Sequence, residues 1–166
     1  MADRSTRILG IDGLRALAVL AVIAFHANLS WARGGFLGVD AFFVISGFVI
    51  TRSLLDEDRR RGAIDLARFW SRRVARLLPA LLLVVSVVAA YACLRPIGGL
   101  QAFREDAVAA LLYVSNWHFL AKGTGYFAAT ADPSLLQHTW SLAVEEQFYL
   151  VWPLAVVWAL RRSQPR

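Results

Sequence analysis

Arg15 and His26 lie eleven residues apart in the otherwise apolar stretch GLRALAVLAVIAFH. At about 100° per residue, that step returns to within about 20° of the same helical face, about 16 Å farther along the axis. One stripe of a helix then carries a guanidinium near one end and an imidazole near the other, with Val19 and Val22 between them. Histidine exchanges protons near neutral pH, so His26 is a candidate general base or acid. An imidazole among hydrocarbon also needs hydrogen-bond partners. Arg15 has a plainer alternative, which is to snorkel to a membrane interface and pair with Asp12.

Three further groups carry chemistry. Asp40 lies seven residues beyond Arg33, as far as His26 lies before it. In an antiparallel helical hairpin the two side chains share one depth, where a carboxylate would orient the imidazole and stabilise its charged form. Asp40 serves equally well as the cap of the helix it opens. In AIDLARFWSRRVARLLP, Ile64, Ala67, Trp70, Val74 and Leu77 fall on one helical side, with Arg72, Arg73 and Arg76 roughly opposite. That is an amphipathic interfacial helix, and its guanidiniums are either a headgroup anchor or a phosphate site. In QHTWSLAVEEQFYLVWP, His138, Ser141, Glu145, Tyr149 and Trp152 recur at three- and four-residue steps on one face, while Glu146 and Gln147 point elsewhere. Carboxylates in an apolar helix must be paired, protonated or solvated, so Glu145 is either an ion-pair partner, for instance of Arg15, or part of a site.

The elements that must position these groups are membrane helices. The chain has 166 residues, 58% hydrophobic and only 18% charged, with a mean hydropathy of +0.51. A soluble domain this small could not bury so much apolar surface, which excludes a disordered chain and an ordinary cytosolic globule. Apolar segments fall at about 14–31, 36–55, 77–94, 107–121 and 140–160, with the interfacial helix at about 63–76 and Pro79 turning the chain into the third segment. The fourth is the weakest and suits a re-entrant dip. An all-α integral membrane fold of about five transmembrane or re-entrant helices is expected. A cleavable leader ending near Ala32 is a competing reading of the first segment, weakened by His26 and by the four apolar segments that follow.

Net charge is +6. Most of it collects between Arg52 and Arg76, so the positive-inside rule places that loop in the cytoplasm together with Arg4 and Arg7. Five full crossings would leave Arg161 and Arg162 outside, and a re-entrant fourth segment would bring them in. No nucleic-acid motif accompanies the charge. The single Cys93 excludes an intramolecular disulfide and has no metal-binding neighbours.

Taken together, GIDGLRALAVLAVIAFH, GGFLGVDAFFVISGFVI, RFWSRRVARLLPAL and HTWSLAVEEQFYLVWPL, in this order from Gly10 to Leu160, resemble acyltransferase family 3. These are integral membrane O-acyltransferases that modify bacterial envelope glycans and other extracytoplasmic acceptors. The family's Arg/Lys, ten residues, then His is matched by Arg15 and His26, which the resemblance makes a donor-supporting cation and the proton-transfer residue. By the same resemblance Arg72, Arg73 and Arg76 hold the phosphates of a cytoplasmic acyl-coenzyme A, commonly acetyl-coenzyme A. The family's WSLxxE segment is matched by Trp140, Ser141, Leu142 and Glu145.

Family members have about ten transmembrane helices, so the resemblance implies the N-terminal half of a longer bacterial inner-membrane protein with its N-terminus cytoplasmic. The expected reaction moves an acyl group to a hydroxyl of an envelope glycan without a metal. His26 is the expected base, with Asp40 to orient it, and Ser141 is a candidate acyl carrier. Expected partners are membrane lipid, the glycan acceptor and the remaining half of the protein, with no nucleic acid. A proton-coupled transporter is the alternative, in which Arg15, His26, Asp40 and Glu145 form a relay and no thioester is consumed.

Overall fold

The computed structural model describes residues 9–94, 100–123 and 134–163, in which every regular element is helical. Six α-helices follow one another: α1 Leu9–His26, α2 Leu37–Arg61, α3 Leu66–Leu94, α4 Leu100–Leu111, α5 Ser115–Ala121 and α6 Thr139–Ser163, with a short 3-10 turn at Ser30–Ala32. They divide into two compact units, Met1–Ala63 and Ile64–Arg166. The expected positive charges Arg4 and Arg7 lie outside the described residues.

The first unit is the hairpin of α1 and α2. Its close packing rests on two glycines, Gly35 in the turn before α2 and Gly38 in its first turn. A Cβ on Gly35 would run into the carbonyl oxygen of Ala21, and one on Gly38 into that of Ala18. The backbones of α1 and α2 therefore touch where any larger residue would hold them apart, the device that lets membrane helices pack by van der Waals contact. Helix α2 outruns the expected boundary near Leu55 by six residues, because its charged end pairs with itself. Arg52 meets Asp56 at 3.7 Å and Arg61 meets Glu57 at 3.4 Å, both one turn apart. It stops at Gly62, whose φ of 69° lets its N–H reach back to the Asp58 carbonyl.

In the second unit Asp65 caps α3, its carboxylate accepting the Arg68 N–H at 3.0 Å. The expected interfacial helix at 63–76 and third apolar segment at 77–94 form one continuous 29-residue helix that carries Pro79 in its interior. Proline removes one backbone hydrogen bond, and the flanking run of leucines and valines is strong enough to carry the helix across it. At 1.5 Å per residue, α3 is about 43 Å long, more than the ~30 Å of a hydrocarbon core.

The expected fourth segment at 107–121 is broken instead. Tyr113 adopts a φ of 55°, and the Val114 N–H bonds back to the Ala109 carbonyl at 2.9 Å, so the chain reverses between α4 and α5. With 12 and 7 residues, neither helix can cross a bilayer, which takes about 20.

Two helices, Leu37–Arg61 and Leu66–Leu94, are long and apolar enough to cross a membrane. Only 6% of the apolar window of α3 is buried inside the protein, and Leu83, Val87 and Leu94 are among its exposed side chains. Such a surface is stable against lipid and not against water.

Candidate functional site

In the first unit, α1 is unbroken from Leu9 to His26, so the expected stripe exists as one helix face. Arg15 is half-buried. Its Nη2 donates to Ser46 Oγ of α2 at 3.2 Å, and its guanidinium lies 4.9 Å from the Phe42 ring centroid. Ser46 is 1% exposed, so Arg15 is held inside the hairpin and not at a lipid interface. Its Nε is buried without a hydrogen-bond partner among the described residues.

His26 closes α1 and is exposed. Its ring meets that of Phe25 edge to face at 5.3 Å, and Phe25 in turn meets Phe36 at 5.7 Å. Asp40 is also exposed and sits in the first turn of α2, one turn past the capping residue Phe36. It is therefore not the helix cap. Among the described residues no hydrogen bond or ion pair joins Asp40 to His26.

In the second unit the three arginines separate by role. Arg73 Nη2 forms an ion pair with Glu146 Oε1 of α6 at 2.8 Å, and its guanidinium stacks on the Tyr149 ring with 3.3 Å to the centroid. Arg72 and Arg76 are exposed and have no hydrogen-bond or ion-pair partner among the described residues. One helical turn apart, they form a free dicationic patch able to take phosphate oxygens. Trp70 locks the same turn of α3 onto α6 by donating its indole N–H to the Tyr149 carbonyl at 3.0 Å.

Glu145 accepts a short hydrogen bond from the Tyr149 hydroxyl one turn on. Ser141 donates to the carbonyl of His138 at 3.2 Å. The face expected from His138 to Trp152 thus exists within α6, except that His138 precedes the helix.

Two clusters escaped the sequence reading. Gln147 and Asn116 bond reciprocally through their amides, at 2.9 and 3.2 Å, while Gln147 also donates to the Tyr113 carbonyl at 2.8 Å. Near the end of α5, His118 Nε2 sits 2.7 Å from Asp106 Oδ1 of α4, and Lys122 Nζ reaches the same oxygen at 3.1 Å and Glu105 at 3.1 Å. Burial pushes the Asp106 carboxyl up, but hydrogen bonds from Ser134, His118 and Lys122 outweigh it and hold the group below its ordinary value. The only advance signal for either cluster is polar residues inside an apolar segment.

A family model described as an acyltransferase domain matches residues 8–166. The chain is 48% identical over 158 residues to the O-acetyltransferase OatA of Staphylococcus aureus, an alignment that covers 95% of this chain and 26% of the relative. It is 51% identical over 143 residues to the peptidoglycan O-acetyltransferase OatA of Listeria monocytogenes, covering 86% of this chain and 23% of the relative. To the putative peptidoglycan O-acetyltransferase YrhL of Bacillus subtilis it is 47% identical over 148 residues, covering 89% and 23%. The chain thus spans about a quarter of the length of these curated relatives. No solved structure matches it.

Proposed function

Since this chain belongs to the acyltransferase domain family, we propose that it is part of a membrane-bound O-acetyltransferase acting on peptidoglycan, a hydroxyl-bearing glycan of the bacterial envelope. The observation that carries the reading is the 48% identity over 158 residues to an O-acetyltransferase, across all four sequence blocks.

The donor in this reading is acetyl-coenzyme A on the cytoplasmic side. Arg72 and Arg76 supply the phosphate contacts, which their exposure and lack of internal partners support, while Arg73 is committed to Glu146. His26 is the general base of this reading. The imidazole takes the proton from an acceptor hydroxyl, whose oxygen attacks the thioester carbonyl. The new C–O bond forms, the C–S bond breaks, and the coenzyme thiolate recovers the proton from the imidazolium. A positioned base contributes about 10²–10⁴ in rate, and the remainder comes from holding donor and acceptor together. Arg15, fixed by Ser46, lends positive charge to the donor side of α1, and Glu145 polarises the Tyr149 hydroxyl.

In the membrane, α1, α2, α3 and α6 cross while α4 and α5 dip in and return. The lengths of α4 and α5 and the bonds from His118 and Lys122 back to Asp106 support this arrangement. Four crossings place Arg161 and Arg162 on the cytoplasmic side with the Arg52–Arg76 loop and the N-terminus.

The test is the O-acetyl ester content of peptidoglycan in the native host, compared between wild type and a chromosomal His26→Ala edit at matched protein levels. Loss of ester supports the reading. Unchanged ester in His26→Ala removes His26 from the mechanism, and unchanged ester after deletion of the whole gene removes the acceptor assignment.

A further inference from the structure

Helix α1 ends in a closed turn. The Leu29 N–H reaches back to the Ala24 carbonyl at 3.2 Å, and the Asn28 N–H to the Phe25 carbonyl at 3.0 Å. Together these bonds make a Schellman cap, and its pivot is Asn28, whose φ is 54°. Gly62 and Gly123 take the same left-handed conformation elsewhere among the described residues. Glycine suits it best, asparagine tolerates it better than most side chains, and a β-branched residue is strained there.

The carbonyls that close this cap belong to the two residues just before His26. Phe25 is held from other directions as well. Its ring meets that of Phe36 at 5.7 Å, and an added Cβ on Gly35 would stand 2.9 Å from the Phe25 Cβ. The same ring meets the His26 imidazole edge to face at 5.3 Å, with 72° between the planes. Asn28 therefore fixes the backbone of Phe25, Gly35 and Phe36 fix its side chain, and Phe25 passes both restraints to the imidazole. His26 is itself exposed, so little packing of its own restrains it.

We propose that Asn28 is a positioning residue for the acetyl transfer. Its left-handed backbone closes α1 on Phe25, and the Phe25 ring sets the plane and height of the His26 imidazole. With His26 as the base, the reading on which this role rests, its nitrogen must lie within hydrogen-bond reach of the acceptor hydroxyl. A misplacement of about 1 Å costs up to about 10²-fold in rate. Loss of one residue from the last turn changes the rise by about 1.5 Å, which exceeds that tolerance.

The experiment assays full-length protein in detergent for release of the coenzyme A thiol from acetyl-coenzyme A, with soluble peptidoglycan fragments as acceptor. Rates are taken per folded protein, so loss of fold does not count as loss of kcat. Asn28→Gly is expected to keep the wild-type kcat, because glycine accepts the left-handed conformation. Asn28→Val is expected to lower kcat about tenfold with the KM for acetyl-coenzyme A unchanged, and Phe25→Leu to do the same. Their double variant should fall little further, because both act through one imidazole. Should Asn28→Val not fold, Asn28→Ala, which is strained less, takes its place. Equal losses in Asn28→Gly and Asn28→Val overturn the proposal, since the amide and not the backbone would then matter. So does a kcat in Asn28→Val within about twofold of wild type, or a raised KM at unchanged kcat. His26→Ala separates this role from the reading beneath it. Full activity there removes His26 as the base and Asn28 with it, whereas loss there beside full activity in Asn28→Val removes Asn28 alone.

Discussion

Arg73 and Glu146 join the cation-rich turn of α3 to the carboxylate-rich turn of α6 at 2.8 Å, with the Tyr149 ring beneath the guanidinium. The pair removes one arginine from the triplet available to a ligand. It also makes the packing of these two helices depend on charge balance, because both side chains are mostly buried, at 21% and 16% exposure.

Removing either partner should therefore leave an uncompensated charge. Glu146→Leu and Arg73→Met are each expected to destabilise the protein by about 2–4 kcal/mol, less than a fully buried pair because some solvent reaches both. The double variant should lose less than either single one. Thermal unfolding of the four proteins in one detergent checks the cycle, and a double variant as unstable as the sum of the singles would contradict it.

Substituting Gly35 or Gly38 should separate α1 from α2. Gly38→Leu is expected to abolish accumulation of folded protein, and Gly38→Ala to cost about 1–3 kcal/mol by overpacking. Gly34→Ala is the internal control, because a Cβ there meets nothing within 4 Å. Protein levels and melting temperatures of the three variants decide it, and a harmless Gly38→Leu would show that the helices are not in contact there.

Ser46→Ala should loosen Arg15 without removing it. A hydrogen bond to a charged group contributes about 1.5–3 kcal/mol, so both stability and acetyl transfer should fall, the latter about tenfold in kcat/KM. Arg15→Gln should fall further. Should Ser46→Ala keep full activity, the position of the Arg15 guanidinium would not matter to the reaction.

The α4–α5 corner should respond to pH with a definite sign. The Asp106 carboxyl is held below its ordinary value, so its contribution is complete above that value and is lost as pH falls through the lowered one. For Lys122, burial pushes the ammonium down, but Asp106 and Glu105 outweigh it and raise it. Its contribution is complete below the ordinary lysine value and lost as pH rises through the raised one. Melting temperature against pH should be flat near neutrality and drop in acid. Asp106→Asn should lower the plateau and flatten the acid limb.

The helical faces were legible in the sequence because a helix keeps its period. Arg15 and His26 do share one uninterrupted helix, and Glu145 and Tyr149 do meet one turn apart. What period alone could not supply was the partner from another element. Ser46 is a lone serine in an apolar run with no period to mark it, yet it receives Arg15. Glu146 and Gln147 read as pointing away from the interesting face, and they hold α6 to α3 and α5. Asp106, His118 and Lys122 were invisible as a group because the reversal at Tyr113 brings them together, and a positive φ on tyrosine leaves no mark in composition. The joint between the expected interfacial helix and third segment failed for the opposite reason. Proline is a strong breaker in isolation, and the apolar sequence around Pro79 overrode it.

That proline has a mechanical meaning. Because Pro79 has no N–H, the Ala75 carbonyl receives no bond from it, and α3 is most compliant at this joint. The joint lies between Arg72 and Arg76 on one side and the lipid-facing length of the helix on the other. When the bilayer thins or thickens, the apolar length must tilt to stay matched. A compliant joint lets it tilt alone, so in the proposed membrane arrangement the two arginines keep their depth at the surface while the span behind them leans.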